Sequence, residues 1–355
     1  MRKYIYGVIS ISKPVTFGQS LLSSSPEVVY TVVHRDLAGV VSNYRGGDFA
    51  SLSKEEKLHC LMAHQEVIEQ VMKEHAILPV KFGTLVDDED EIRRILEQGH
   101  KKLTQTLDQM GGVVEIEVAA TWDLKKVLEE IGSEEGIRQL KHSMAGKSAS
   151  EILETQVNAG KLVKESLDRR RESYCSQTVQ SLAEAALDIQ PNTLVTDEMV
   201  MNVAFLIQRE KQEEFDNQVR WINEAFSDQI NFHVIGPLPP YSFSTVEIKR
   251  PAPRKIEEAR QLLGLGTDVS DKELKEAYRH LAAKSHPDAH LDDDSGDKQF
   301  AEVREAFVLL RDYCQGQSIG EDMNSQRYSL MPEDVSQAFL VEIKRPALQI
   351  AGSSG

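Results

Sequence analysis

Cysteine and long apolar runs are scarce in this sequence, and each shortage excludes a class of protein. The 355 residues include three cysteines, Cys60, Cys175 and Cys314, which lie far apart and are odd in number. This pattern disfavours a disulfide scaffold and a four-cysteine zinc site, and it points to a reducing cytosol. No apolar run approaches the roughly 18 residues that a membrane-spanning helix needs. We therefore expect a cytoplasmic protein without a membrane partner.

Positive charge is also scarce. The sequence has 41 lysine and arginine residues against 57 aspartate and glutamate residues, so its formal net charge is −16. Nucleic acids and anionic membrane surfaces both require a basic face, so we expect neither as a main partner. The remaining composition, with 40% hydrophobic and 28% charged residues, is ordinary for a globular chain. At about 150 residues per domain, the length corresponds to two or three domains.

The first 121 residues alternate between strand and helix signals. A capping box at Ser53 and Glu56 predicts the start of the first helix. We predict an N-terminal α+β domain over residues 1–121, with its helices on one face of the sheet. Helical spacing puts six apolar residues of the first helix on one face: Leu58, Leu61, Met62, Ile68, Val71 and Met72. The predicted strands are 4–11, 28–33, 37–42, 80–86 and 113–121, and the second helix spans about 88–110.

Residues 122–250 predict a second α+β domain. Residues 149–188 contain almost no helix breaker, so they form one long helix or two helices packed as a hairpin. The run from Arg169 to Arg171 lies inside this stretch, and a solvated helix face explains it better than nucleic-acid contact. Apolar strand residues and one further helix fill the segment from residue 194 to residue 248.

The character of the sequence changes near residue 249. Pro251 and Pro253 remove backbone donors and favour extended geometry, which predicts a stiff linker over residues 249–254. Residues 254–316 predict only helices, and we expect the tail, residues 317–355, to be loosely ordered. The predicted fold class is α+β: two α+β domains, the second with a long helical hairpin, then a small all-helical domain and a flexible tail.

One segment of this tail repeats an earlier one. Residues 246–252 and residues 341–347 share the sequence VEIKRPA. The repeat indicates a partial duplication on either side of the helical domain. In a functional interpretation, the second copy competes for, or extends, the sheet edge that the first copy uses. The alternative is a neutral genetic scar.

The helical domain carries the most specific motif. Ser270 and Glu273 form a second capping box, and an apolar stripe on the helix that follows stands opposite Lys272, Lys275 and Arg279. Residues 275–288 read KEAYRHLAAKSHPD, and the next helix is apolar at steps of three and four residues. This arrangement resembles the J-domain of DnaJ-type co-chaperones over about 60 residues. The J-domain family usually has an aromatic residue where Ser285 stands, and the cysteine-rich zinc repeat of a full-length DnaJ is absent.

The resemblance implies roles for seven residues. By this resemblance, the cations that dock on an acidic surface of a DnaK-type chaperone are Lys272, Lys275, Arg279 and Lys284. The residues that trigger its ATP hydrolysis are His286, Pro287 and Asp288. One alternative is a degenerate helical hairpin that no longer recruits a chaperone. Another is a metal site at His286 and His290, with Asp288 and Asp292 nearby, but no second cluster closes the ligand shell, so we expect no metal.

Four stretches of the first 250 residues form a second set of motifs. They read YIYGV at 4–8, PVKFGTL at 79–85, VAFLI at 203–207 and GPLPPYSF at 236–243. Together they resemble the gas vesicle proteins of the GvpF/GvpL family. This resemblance implies an accessory or minor component of gas vesicles that binds the hydrophobic shell protein and prevents its aggregation. It also implies two α+β domains and contacts with other gas vesicle accessory proteins.

The residues themselves favour binding over catalysis. We find no phosphate-binding glycine loop, no HExxH motif and no nucleophile elbow, so we assign no catalytic residue and no cofactor. The acidic run 87–90 is typical of a helix start rather than of a cation site, and we interpret His59 and His64 as surface or boundary residues. Phe82 and Tyr241 are interpreted as core aromatics.

Two functional hypotheses follow. In the first, the chain is a gas vesicle assembly factor, and the linker over residues 249–254 tethers a J-domain that brings a DnaK-type ATPase to the bound shell subunit. In the second, the chain is a structural minor component of the vesicle wall, and its J-like module only docks. Both place the protein at the gas vesicle in the cytoplasm.

Overall fold

The chain folds into two compact units. The computed structural model describes residues 1–22, 25–47, 49–143, 149–226, 229–284, 294–317 and 326–344. The first unit combines Met1–Gly111 with Ser244–Lys344, and the second contains Gly112–Phe243. The boundary that we predicted at residue 121 therefore lies at Gly111, and the predicted strand 113–121 belongs to the second unit.

The N-terminal part of the first unit is a six-stranded antiparallel sheet with two helices. The strand order is β2-β3-β4-β1-β5, and β6 also pairs with β1. The sheet strands are β1 (Lys3–Ile9), β2 (Thr16–Ser20), β3 (Glu27–His34), β4 (Leu37–Asn43), β5 (Ile77–Pro79) and β6 (Leu85–Val86). The helices are α1 (Lys54–Met72) and α2 (Glu89–Met110). The predicted capping box of Ser53 and Glu56 is present at the start of α1, and Asp88 caps α2.

The two helices cover opposite faces of this sheet. Tyr4 of β1 lies 2.9 Å from His64 of α1, measured from Oη to Nδ1. The next residue of the strand, Ile5, packs in a core cluster with Ile92 and Ile95 of α2. Because successive strand residues point to opposite faces, α1 and α2 cannot share one. This corrects the predicted arrangement with both helices on a single face.

The buried face of α1 also differs from the predicted one. The side chains that face the core are Cys60, Ala63, His64, Val67, Ile68 and Val71. Leu58, Leu61 and Met62 are 58%, 44% and 63% exposed. Helical spacing alone defines several partly apolar stripes on this helix, and the sheet selects the stripe that contains the small residues Cys60 and Ala63.

The second unit is a four-stranded antiparallel sheet with the order β10-β7-β9-β8, packed against helices. Its strands are β7 (Val113–Thr121), β8 (Asp188–Pro191), β9 (Met199–Gln208) and β10 (Asn231–Leu238). Its helices are α3 (Leu124–Gly132), α4 (Glu135–Ser143), α5 (Ala149–Leu182) and α6 (Gln212–Ala225). Helix α5 runs through 34 residues without a break, so the single long helix is the correct one of the two predicted alternatives.

The arginine run of α5 is held by intramolecular contacts. Arg170 pairs with Glu130 at 2.7 Å and with Glu134 at 3.0 Å. Arg171 donates a hydrogen bond to the carbonyl of Asp197 at 2.6 Å, and its guanidinium lies 5.1 Å from the ring centre of Trp122. Arg170 and Arg171 therefore fix α5 to its neighbours, which corrects our interpretation of them as part of a solvated face, whereas the side chain of Arg169 is 71% exposed.

The C-terminal part of the first unit contains three main helices and the repeated segment. Its elements are β11 (Thr245–Lys249), α7 (Pro253–Leu262), β12 (Asp268–Ser270), α8 (Asp271–Lys284), α9 (Asp294–Gly316), β13 (Arg327–Ser329), α10 (Pro332–Gln337) and β14 (Leu340–Lys344). Strand β11 ends at Lys249, and α7 begins at Pro253. Pro251 between them is buried, so this connection is packed where we expected a linker.

The two copies of the repeat pair with each other. Strands β11 and β14 are antiparallel, with Glu247 opposite Glu342 and Val246 opposite Ile343. Residues 326–344 are folded, because Tyr328, Leu330 and other apolar residues of this segment are buried. This corrects the expectation of a loose tail for that part. Residues 345–347 of the second copy lie outside the described residues.

Candidate functional site

The predicted docking residues lie on α8. The helix begins with the predicted capping box: Ser270 donates its backbone N–H to Glu273 Oε2 at 2.7 Å, and Glu273 donates its N–H to Ser270 Oγ at 3.3 Å. On the inner side of the helix, Leu274 is buried. Tyr278 stacks on Phe307 of α9, with ring centres 4.2 Å apart. These contacts orient α8, since they fix which of its faces packs on α9.

The four predicted cations of α8 are exposed. Lys272 lies 3.9 Å from Glu276, and Lys275 lies 3.5 Å from Asp271. The exposed Lys272–Glu276 pair contributes about 0–1 kcal/mol, so it holds Lys272 weakly. Asp271, the partner of Lys275, is buried. The exposed residues are Lys272, Lys275, Arg279 and Lys284. The structure therefore presents a basic helical face that can contact an acidic protein surface.

The predicted trigger residues lie outside the described part of the chain. Helix α8 ends at Lys284, directly before Ser285, and α9 begins at Asp294. His286, Pro287 and Asp288 fall between these helices, as do His290 and Asp292 of the alternative metal site. Across the described residues, histidine, cysteine and acidic side chains form no cluster of three that could hold a metal ion.

A buried aromatic cluster lies between β1 and α1. Tyr6 stacks on His64, with ring centres 5.8 Å apart, and the half-buried Phe82 meets the same imidazole edge-on at 5.7 Å. Burial lowers the pKa of His64 to about 4. His64 is therefore a core histidine, which corrects our interpretation of it as a surface or boundary residue, whereas His59 is exposed.

The proline-rich motif of the second unit holds a buried carboxylate that sequence analysis missed. Ser242 donates its backbone N–H to Glu115 Oε2 at 2.8 Å, and its hydroxyl lies 2.7 Å from Glu115 Oε1. Burial raises the pKa of Glu115 to about 7, against the opposing effect of these hydrogen bonds. Gly236 has a φ of 147°, and a Cβ there would lie 2.8 Å from Ile116 Cδ1. The sequence signal for this buried carboxylate was the position of Glu115 between the apolar residues Val114 and Ile116 of a predicted strand.

The acidic run before α2 has structural partners. Asp88 accepts a hydrogen bond from the backbone N–H of Glu91 at 2.9 Å and so caps the helix. Asp90 and Glu89 pair with Arg93 at 2.7 and 3.1 Å. The run therefore occupies a helix start, as predicted. Within the described ranges, no helix is long and apolar enough to cross a membrane.

These features define a class of protein: an α+β chain with two large sheets that carries a three-helix module with a basic second helix. The model of the family "Gas vesicle synthesis protein GvpL/GvpF" matches residues 2–245, and that of the "DnaJ domain" matches residues 260–315. The chain belongs to the GvpL/GvpF family of gas vesicle synthesis proteins and contains a DnaJ domain.

Individual relatives agree with this assignment. Gas vesicle protein F of Dolichospermum flosaquae is 28% identical over 250 residues, which cover 69% of this chain and 98% of that protein. A chaperone protein DnaJ of Herminiimonas arsenicoxydans is 46% identical over 52 residues, which are 15% of this chain and 14% of that protein. The crystal structure of the gas vesicle protein GvpF from Anabaena sp. PCC7120 superposes with a TM-score of 0.58 at 26% identity, covering 68% of this chain and 96% of that one.

Proposed function

We propose that this protein is a gas vesicle assembly factor that binds hydrophobic shell protein and brings a DnaK-type chaperone to it. The observation that carries the proposal is the combination of a GvpL/GvpF family region and a DnaJ domain in one chain. A J-domain recruits an ATPase, and a vesicle protein brings a client, so their fusion places both on one molecule.

The chaperone half of the proposal rests on α8. Three of its four exposed cations, Lys272, Lys275 and Arg279, lie on one face of the helix, and complementary charge increases both the rate and the specificity of association. His286, Pro287 and Asp288 follow α8 directly in the sequence. In our proposal these three residues stimulate ATP hydrolysis once the cations of α8 have docked.

Steady-state ATP hydrolysis by the host's DnaK-type chaperone tests this half. We expect a saturable increase with rising concentration of this protein and no increase with His286→Gln. The matched control is His280→Gln, because His280 is an exposed histidine of α8, and this variant should stimulate like the natural protein. If the natural protein gives no increase, the chaperone half is wrong and the structural wall component remains.

The client half rests on an exposed apolar surface of α1, formed by Leu58, Leu61 and Met62. Exposing three neighbouring apolar side chains to water is unfavourable, so burying them against a hydrophobic partner would lower the free energy. We propose that this α1 surface contacts the shell protein. The surface lies in the first unit, which also contains the J-domain.

Aggregation of shell protein, followed by light scattering after dilution from denaturant, tests the α1 surface. We expect the triple variant Leu58→Gln, Leu61→Gln and Met62→Gln to lose protection. A matched triple variant in the second unit, at residues that are also exposed, should protect normally: Leu187→Gln, Leu194→Gln and Val195→Gln. Equal protection by both triple variants would exclude the α1 surface.

A further inference from the structure

Strand β11 has two edges, and the chain's own C-terminal segment fills one of them. On the first edge, Lys81 donates its backbone N–H to the carbonyl of Val246 at 2.9 Å, which joins β11 to the residues after β5. On the second edge, β14 pairs with β11 over five residues, from Thr245–Lys344 to Lys249–Leu340. A sheet edge of this kind can bind an extended segment by strand addition. Main-chain hydrogen bonds then provide affinity, and pockets for alternate side chains provide specificity.

Helix α2 supplies the floor of this site. Gln98 accepts a hydrogen bond from the backbone N–H of Phe339 at 2.8 Å. At Gly99, a Cβ would lie 2.9 Å from Cγ1 of Val341, so any side chain at this position would force the neighbouring side chains to shift. Phe339 is buried, and the guanidinium of Arg250 lies 4.7 Å from its ring centre. Phe339 and Val341 are therefore the two side chains that anchor the segment.

The charges along the paired strands are complementary. Glu247 and Glu342 stand opposite each other, which would be repulsive without a cation. Lys249 lies 2.9 Å from Glu247 and 3.1 Å from Glu342, and so bridges them. Lys344 adds a contact to Glu342 at 2.7 Å. Lys249 of the site thus favours a segment with an acidic centre, and the segment's own Lys344 is a further partner of that carboxylate.

The segment has a second face, which packs on the three-helix module. Leu340 lies between Phe339 and Val341 and belongs to a different core cluster, together with Ile256 of α7 and Leu310 of α9. Phe339 and Val341 belong to the cluster of β1 and α2. Because neighbouring strand residues point to opposite sides, this one short segment joins the two cores.

We propose that the edge of β11 and the adjoining face of α2 form a peptide-binding site, and that the chain's own residues 338–344 occupy it and thereby hold the J-domain on the GvpF-like sheet. Its ligand is an extended peptide with an aromatic anchor, then alternating aliphatic residues around a glutamate, then a lysine. This explains the repeat without a genetic scar: the second copy pairs with the first. The site does not depend on whether a chaperone binds.

Hydrogen exchange of the natural protein gives the first test. The amides that face β11 are those of Leu340, Glu342 and Lys344, because Val246 gives its carbonyl to Lys81 and its pair with Ile343 is therefore not hydrogen-bonded. These three amides should exchange at least tenfold more slowly than the same amides in a free peptide of residues 336–344. Exchange at the rate of the free peptide would mean that the segment is not bound, and the proposal would be wrong. This measurement needs no variant.

Binding of that peptide, carrying a fluorophore, gives the second test. The natural protein should bind it weakly, because the resident segment competes at high effective concentration. Val341→Asp, which damages the resident segment and leaves the site unchanged, should bind the peptide at least tenfold more tightly. Glu333→Gln, at an exposed residue of α10, is the matched control and should behave like the natural protein.

The chain also offers a matched control peptide and a variant of the site. A peptide of residues 241–249 contains the same VEIK sequence but has Ser244 in the place of Phe339 and Thr245 in the place of Leu340. It should bind Val341→Asp at least tenfold more weakly, and adding Gly99→Leu should abolish binding of both peptides. Equal binding of the two peptides, or no gain from Val341→Asp, would overturn the proposal.

Discussion

Nη2 of Arg250 lies 2.6 Å from Oε1 and 2.7 Å from Oε2 of Glu91, whose side chain is 8% exposed. Glu91 belongs to α2, and Arg250 follows β11, so the pair joins sequence positions 159 residues apart. The same carboxylate accepts a hydrogen bond from the backbone N–H of Asp87 at 2.9 Å. The pair therefore fixes the entry to the three-helix module against the N-terminal sheet.

Removal of this arginine should destabilise the first unit. Arg250→Ala leaves the buried carboxylate of Glu91 with only the more distant Arg94, at 3.7 Å, and we expect a loss of about 1–3 kcal/mol in the free energy of unfolding. The free energy can be measured from native-state hydrogen exchange of β1. In a Glu91→Gln background the same substitution should cost much less. Equal costs in both backgrounds would show that the two side chains are not coupled.

Glu115 should make the second unit less stable as pH rises. Its pKa is raised to about 7 by burial, so the folded state holds the proton more tightly than the unfolded state. This contribution is present below pH 4.5 and is lost as pH rises through about 7, with an upper bound of about 3 kcal/mol. Both tryptophans, Trp122 and Trp221, lie in this unit, so their fluorescence can follow its unfolding.

Glu115→Gln is the control for this pH dependence. The amide keeps an acceptor for the N–H of Ser242 and a donor for its hydroxyl, but it does not titrate. The variant should show a flatter dependence of stability on pH between 4.5 and 7. An unchanged slope would mean that another group is responsible.

His64 should have the opposite effect in the first unit. Its pKa is lowered to about 4 by burial, so the unfolded state binds the proton more tightly. This contribution is present above pH 6.5 and is lost as pH falls through about 4, again with an upper bound of about 3 kcal/mol. Hydrogen exchange of α1, corrected for intrinsic rates, can measure it. His64→Gln should remove the acid-dependent loss, although its stability at neutral pH should be lower.

Charge reversal on α8 should weaken chaperone binding without unfolding the module. The triple variant Lys272→Glu, Lys275→Glu and Arg279→Glu changes three exposed side chains, of which Lys275 also pairs with the buried Asp271 at 3.5 Å. We expect at least tenfold weaker binding of the DnaK-type chaperone, and the natural protein should lose affinity as salt rises.

The control for this variant is Arg254→Glu, a charge reversal on α7 at a side chain that is 90% exposed. It should bind the chaperone normally. Equal weakening by Arg254→Glu and by the triple variant would indicate a general effect of net charge and would remove α8 from the proposed interface.

The sequence by itself determined the local structure and the two families. Both capping boxes and the N-terminal bound of α2 depend on residues within about four positions of each other, so they can be read along the chain. The GPLPPYSF and HPD motifs predicted the two families for a similar reason, because each motif consists of contiguous residues. The cations of α8 were predicted to be exposed, since the apolar stripe opposite them is explicit.

Only the tertiary structure decided which partners these elements meet. Spacing could not show that α1 buries Cys60 and Ala63 and exposes Leu58, because the choice depends on strands far away in the chain. The neighbours of Glu115 were hidden for the same reason, since Ser242 lies 127 residues away. The repeat was visible, but not that its copies pair, and Gly99 in a predicted helix was the one local sign of a close approach. Each of these outcomes depends on contacts between distant parts of the chain, which a one-dimensional pattern does not contain.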